Sequence, residues 1–183
     1  MPWCLVMKSK AQPQAGKLVV VIDTTLLSRL CDLEIIHLLP MVFKQVRIPT
    51  EVKNETRKAP GRRWKRLRRQ LREMGGFFVD CREHDPIVRE IIRADLDLGE
   101  ADAIAQADHT GAGLLMDENK GVRYARNMNL TVIRTGRILC WLKETGDIPL
   151  VEPYLLKLRR MGFHLSEGDF EMVLSEAGEL RRD

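Results

Sequence analysis

Residues 18–30 read LVVVIDTTLLSRL, and this stretch limits the possible fold more than any other part of the chain. Val19 to Ile22 are consecutive β-branched residues, which suit a strand buried on both faces; a strand with one solvated face alternates apolar with polar. Asp23, Thr24 and Thr25 break the run, and an apolar periodicity suited to a helix begins at Leu26. A doubly buried strand that passes straight into a helix is the opening of a β-turn-α unit. Such units need helices on both sides of a parallel sheet.

The pattern recurs. QVRIP (45–49), FFVDC (77–81), GLLMD (113–117) and LTVIR (130–134) read as further strands, with helical patterns between them. The alternation predicts an α/β fold with a central, mostly parallel five-stranded sheet, whose ligands sit beyond the carboxyl ends of the strands at a topological switch point. Strand ends therefore matter most: Asp23 ends the first strand and Asp117 the fourth. Three helices are expected around 136–145, 150–161 and 167–177, and Ser166-Glu167-Gly168-Asp169 reads as a capping box for the last. The expected organisation is a flexible segment over 1–16 and a single domain over 17–183, with 146–183 as its C-terminal helical extension.

The 183 residues, 44% hydrophobic, suit one domain with a full core. No apolar run approaches the roughly 20 residues that span a bilayer, and the start, MPWCLVMKSKAQPQAG, lacks a secretory apolar stretch. A cytoplasmic protein without a membrane partner is expected. Cys4, Cys31, Cys81 and Cys140 form no C-x-x-C pair, and His37, His84, His109 and His164 have no metal-ligand spacing, so zinc and disulfide frameworks are not indicated.

The acids are distributed differently. DLGEADAIAQAD (97–108) sets Asp97, Glu100, Asp102 and Asp108 among alanines that favour helix and close packing. Asp97 and Glu100 suit the positive end of that helix. In a parallel sheet, Asp23, Asp117 and the pair Glu100 and Asp102 converge, and IPTEVKNE adds Glu51 and Glu55, which share a helix face at i, i+4. Either glutamate can enter such a site on spacing alone. Crowded carboxylates raise one another's pKa, and a divalent cation removes the conflict. Hard oxygen donors without His or Cys favour Mg²⁺ or Mn²⁺.

Positive charge is equally local. RKAPGRRWKRLRRQLR (57–72) contains no acid, and after Pro60-Gly61 the apolar Trp64, Leu67 and Leu71 recur at i, i+3, i+7. An amphipathic helix is expected, docked through that stripe, with its arginines outward toward nucleic acid or an acidic protein. Lys120, Arg123 and Arg126 lie on one side of the helix after Asp117 and are phosphate-contact candidates.

On these residues the chain resembles a PIN domain, the fold of VapC-type toxin ribonucleases. The carrying features are Asp23 with Thr24 and Thr25, Glu55 with Pro49 and Val52, Asp102 with Glu100 in GEADA, and Asp117 in LLMDEN; GEADA is also similar to the acidic helix start of flap endonucleases. GDIPLVEPYLLKLRRMGFHLSEGDF resembles the C-terminal helical extension of a VapC-related PIN-like family. The resemblance implies a three-layer α/β/α PIN-like fold and a metal-dependent ribonuclease, with Asp23, Glu55, Asp102 and Asp117 as catalytic acids. Asp23, Glu100, Asp102 and Asp117 are the implied ligands of Mg²⁺ or Mn²⁺. Thr25 and Asn119 support the site, and Arg63, Arg66, Arg69, Lys120 and Arg123 contact RNA. It further implies an antitoxin protein as a partner and a homodimer.

Two departures stand out. Asn119 follows Asp117 where relatives often carry an acid or polar residue, and would be a weaker ligand. Arg134-Thr135-Gly136-Arg137 replaces a Gly-rich segment after strand five, adding charge that can hold a phosphate or block part of the groove. The rival readings are a non-catalytic RNA-binding PIN module, and an interaction protein whose basic helix meets an acidic partner such as an antitoxin.

Overall fold

The computed structural model describes residues 18–180 apart from residue 59 and the side chain of Arg63. The expected flexible segment 1–16 lies outside the described residues. The strands are β1 (Val19–Ile22), β2 (Gln45–Pro49), β3 (Phe78–Cys81), β4 (Gly113–Leu115) and β5 (Val132–Ile133). They form one sheet in the order β3-β2-β1-β4-β5, every pair parallel. The chain grows one way from β1 to β3 and the other way from β4 to β5, so the switch point lies between β1 and β4. In register, Ile22 faces Leu115, and Asp23 N–H still donates to Leu115 O at 3.1 Å. Asp23 and Asp117 therefore leave the sheet at the same edge.

Helices cover both faces, giving a three-layer α/β/α fold. Val20 and Ile22 point into a core shared with α1 (Thr24–Leu33), whereas Val21 points into a second core on the opposite face with α6 (Leu98–Thr110). This is why β1 carries no polar residue. Helix α6 packs against β1, β2, β4, α3 (Thr50–Lys58), α5 (Pro86–Arg93) and α7 (Asn119–Asn127). Surrounded in this way, it buries Gly99, Ala101, Ala103, Ala105 and Ala107 together, and the small side chains are what let so many neighbours approach.

The C-terminal helices α8 (Thr135–Glu144), α9 (Glu152–Arg160) and α10 (Glu167–Glu176) pack on the α1 side, with the short α2 (Leu39–Val42) against α8, and Leu155, Leu158, Phe170 and Val173 join the core of Leu26 and Leu30. A Cβ at Gly136 would meet Val173 at 2.8 Å, so glycine sets how closely α8 and α10 approach. Ser166 Oγ accepts from Asp169 N–H and donates to the Asp169 carboxylate, capping α10. Helix α4 (Arg62–Glu73) docks as its stripe predicts: Leu67 is fully buried, with Trp64 and Leu71 half-buried against the same core. Among the described residues no helix is long and apolar enough to cross a membrane.

Candidate active site

Asp23 follows β1 directly and caps α1, its Oδ1 accepting from Leu26 N–H at 2.7 Å. It is 1% exposed. Burial pushes its carboxyl well above the usual range; the Leu26 hydrogen bond opposes this, the charge of Asp117 adds to it, Arg29 opposes it and Glu100 adds further. The acids of strand ends one and four and of the α6 start thus share one electrostatic neighbourhood.

Asp117, equally buried, is held from several sides. Thr135 Oγ1 donates to Oδ2 at 2.6 Å, Thr135 N–H donates to Oδ1 at 3.0 Å, and Arg29 Nη1 lies 2.8 Å from Oδ2. Arg134 Nε stands 3.9 Å from Oδ1. The carboxylate therefore sits at the N-terminus of α8, where helix-end N–H groups favour an anion. Arg134 is itself buried and donates to Asp117 O and, at 2.9 Å, to Asn119 Oδ1. Burial lowers its pKa from the ordinary arginine value. Of the two arginines expected to add charge to the groove, Arg134 lines the cavity beside Asp117 while anchoring the β4–α7 turn, and Arg137 is turned to Glu176 and lies over the Trp141 ring.

Glu100 completes a capping box with Asp97: Glu100 N–H donates to Asp97 Oδ1 at 2.9 Å, and Asp97 N–H to Glu100 Oε2 at 3.4 Å. Its carboxyl is raised by burial and by Asp97; the Asp97 hydrogen bond opposes the rise, Glu118 adds to it, and Lys120 opposes it. Glu55 reaches the same edge, accepting from Thr24 Oγ1. A Cβ at Gly99 would come 2.7 Å from Glu55 Oε1, so a side chain there would make that carboxylate shift from the start of α6. Spacing left Glu51 and Glu55 open; the carboxylate that touches this edge is Glu55.

Asp102 is placed differently. It is buried, but Oδ2 accepts from Glu51 N–H at 3.1 Å and Oδ1 from Gln106 Nε2 at 3.0 Å, with His84 Nδ1 3.8 Å away. Both oxygens serve the start of α3 and the interior of α6, so Asp102 is an anchor between helices. About half a turn of helix separates the two acids of GEADA onto different faces: Glu100 adds to the field at Asp23, and Asp102 ties α6 to α3.

The other expected residues scatter. Thr25 is exposed and lines a cavity beside Asp117, while Thr24 makes the contact with an acid. Asn119 starts α7 with its oxygen bound to Arg134. Lys120 reaches back to Asp95 O ahead of α6, and Arg123 is exposed. On α4, Arg66 corrects the outward-facing expectation: Nη2 donates to Cys31 O at 2.8 Å, at the C-terminal end of α1, and Nη1 pairs with Glu34 at 2.7 Å. Arg68 likewise donates to Thr56 O at 2.7 Å. Lys65, Arg69 and Arg72 are exposed, Arg69 lying 3.7 Å from Glu73. The Arg63 side chain is outside the described residues.

Arg29 was not among the expected site residues. A signal for it exists: Thr25, Ser28, Arg29 and Asp32 recur at i, i+3, i+4, i+7 just after Asp23, a polar stripe, and all four line the cavity.

The donor chemistry fits a divalent ion. Among the described residues no group of three or more His, Cys, Asp or Glu side chains is placed to hold a metal ion by itself. Mg²⁺, however, is commonly held by one or two carboxylates, waters and substrate phosphate. Asp23 is raised by burial and by the charges of Asp117 and Glu100, and Glu100 by burial and by Asp97 and Glu118, so a cation at this edge would relieve carboxylate crowding.

A family model described as a PIN domain matches residues 19–179. The chain therefore belongs to the PIN-domain family, whose fold is of the nuclease type. The matched span includes α8, α9 and most of the chain beyond. No curated protein matches the chain.

Proposed function

We propose that this chain is a metal-dependent ribonuclease that hydrolyses RNA phosphodiester bonds. The observation that carries the reading is the gathering of Asp23, Glu100 and Asp117 at the β1–β4 switch point, with Asp23 buried and pushed upward partly by the charges of the other two. Membership of the PIN-domain family supports it.

Asp23 and Glu100 would hold Mg²⁺ or Mn²⁺, with Glu55 and Asp117 at the flanks. A divalent ion supplies acidity to a water and neutralises charge that develops on a phosphate under attack. The remaining work falls to the chain. Asp23 keeps a fixed orientation because Leu26 N–H holds one of its oxygens. Thr135 and Arg29 hold Asp117, and Arg134 holds the turn that follows it. Arg29 brings a positive charge to the cleft, where a phosphate oxygen is a natural partner. Exposed Lys65, Arg69 and Arg72 extend the cationic surface available to a polyanion.

A second reading rests on a specific observation: Asp117 already has Arg29 and Thr135 as partners, which suits a module that binds RNA without cleaving it. Within the first reading, we extend the proposal to a toxin of a toxin-antitoxin pair, with an acidic antitoxin segment on the cationic face of α4. Labelled RNA incubated with Mn²⁺, Mg²⁺ or EDTA separates the two. Cleavage that needs the metal and vanishes in Asp23→Asn supports the enzyme; RNA binding without cleavage in any metal supports the module.

A further inference from the structure

A cavity of about 500 Å³ opens beside Asp117, and the chemistry at the carboxylates leaves most of it unused. Its volume lies in the range of roughly 300–1,000 Å³ typical of small-molecule sites. Its lining combines Asp117, Glu118 and Asn119, from the turn after β4, with Trp64 from α4 and Phe163 and His164 from the turn between α9 and α10. Arg29 joins them, with Nη1 2.8 Å from Asp117 and its guanidinium carbon 3.8 Å from the centre of the Phe163 ring. Two flat rings, a flat cation and the Ser28 hydroxyl thus share one cavity with Asp117.

We infer that this cavity is a nucleoside subsite: it receives the base of the single-stranded RNA nucleotide next to the scissile phosphate. The inference rests on the ribonuclease reading for the position of that phosphate. Single-stranded RNA offers splayed bases, which proteins take up by stacking on aromatic rings and arginine planes and by hydrogen bonds to base edges. Trp64 and the stacked pair of Phe163 and Arg29, which offers the faces the two do not turn to each other, are surfaces of that kind, and Ser28 and His164 supply polar atoms. The wall nearest the extension is contributed by the α9–α10 turn, so the C-terminal helices complete a subsite that the sheet and α1 alone leave open.

The test is binding of uridine, cytidine, adenosine and guanosine 5′-monophosphates to the full chain in EDTA, by calorimetry, with ribose 5-phosphate as the baseless control. Binding of at least one nucleotide, weaker binding of ribose 5-phosphate, and a loss of roughly 5- to 150-fold in Phe163→Ala are expected, the range for losing one base-aromatic stack. Phe163→Leu keeps apolar volume without the flat ring and should lose binding while the protein stays folded, its melting curve reading the separate cost of the lost Arg29 stack. Equal binding of ribose 5-phosphate, no nucleotide binding, or nucleotide binding untouched in Phe163→Leu overturns the subsite. Base preference at the cleaved step provides the second arm. If Phe163→Leu loses nucleotide affinity while RNA stays uncleaved in every metal, the subsite stands and the ribonuclease reading falls. Metal-dependent cleavage with base preference and nucleotide affinity unchanged in Phe163→Leu removes the subsite and leaves the ribonuclease.

Discussion

Arg29 Nη1 stands 2.8 Å from Asp117 Oδ2, a pair formed between the first helix and the turn after the fourth strand. The Asp117 side chain is fully buried, so this cation and Thr135 offset the cost of burying its charge. Arg29→Ala should destabilise the metal-free protein by about 2–3 kcal/mol, below the cost of breaking a fully buried pair because Thr135 remains. Mn²⁺ should then raise the melting temperature more in Arg29→Ala than in the unmodified chain, since a competing cation is gone. An equal Mn²⁺ shift in both proteins would show that Arg29 and the ion do not compete.

Asp23→Asn keeps an oxygen for Leu26 N–H and removes a buried charge that Asp117 and Glu100 repel. Metal-free, the variant should gain about 1 kcal/mol, or roughly 2–4 °C in melting temperature. It should also lose both the Mn²⁺-induced shift and RNA cleavage. A lower melting temperature than the unmodified chain would contradict the repulsion.

The two acids of GEADA should separate cleanly. Glu100→Gln retains a capping-box side chain, so stability should stay within about 0.5 kcal/mol while cleavage falls by at least tenfold. Asp102→Ala leaves Glu51 N–H and Gln106 Nε2 without their acceptor and should cost about 1–3 kcal/mol. Chemical denaturation alongside a cleavage assay reads both effects. The reverse pattern would return Asp102 to the metal.

On α4, Lys65→Glu with Arg69→Glu should weaken binding to long RNA across sequences and lower the salt slope by about 1 for each phosphate that the variant no longer neutralises. Arg66→Ala should act on stability instead, by about 0.5–1.5 kcal/mol, because it removes the Glu34 ion pair and one of the two donors to Cys31 O, which keeps Glu34 N–H. Affinity measured at several salt concentrations, with melting curves, distinguishes them.

A pH effect is expected far from the site. Glu179 accepts from Val151 N–H at 2.7 Å and Glu152 N–H at 2.9 Å, and Lys143 lies 2.8 Å away. Burial pushes its carboxyl up, but Lys143 and the two N–H groups outweigh this and hold it below the usual 4.5. A depressed folded pKa gives stability that is present above the unfolded value and lost as pH falls through the folded one. Glu179→Gln should therefore be less stable at neutral pH, and the difference should shrink as pH drops below about 4.5. A pH-independent difference would place the effect in packing.

How much of this was legible beforehand depended on range. The doubly buried run Val19 to Ile22 and the recurring strand patterns determined a parallel sheet clothed by helices, because burial period and turn chemistry are local properties. They also put Asp23 and Asp117 at strand ends, and one-dimensional spacing sufficed for the docking stripe Trp64, Leu67 and Leu71. Which carboxylates face one another was not local. Glu100 and Asp102 are two residues apart, about 200° around a helix, so neighbours on α3 and β1 assign their tasks. The same holds for Arg66 and Arg134, whose long side chains read as outward charge in sequence. Arg66 instead lies along the end of α1 against Cys31 O and Glu34, and Arg134 turns inward to Asp117 O, partners that only folding brings near. The pairing of Arg29 with Asp117 spans a separation of 88 residues, a contact that exists only once β1 and β4 lie side by side.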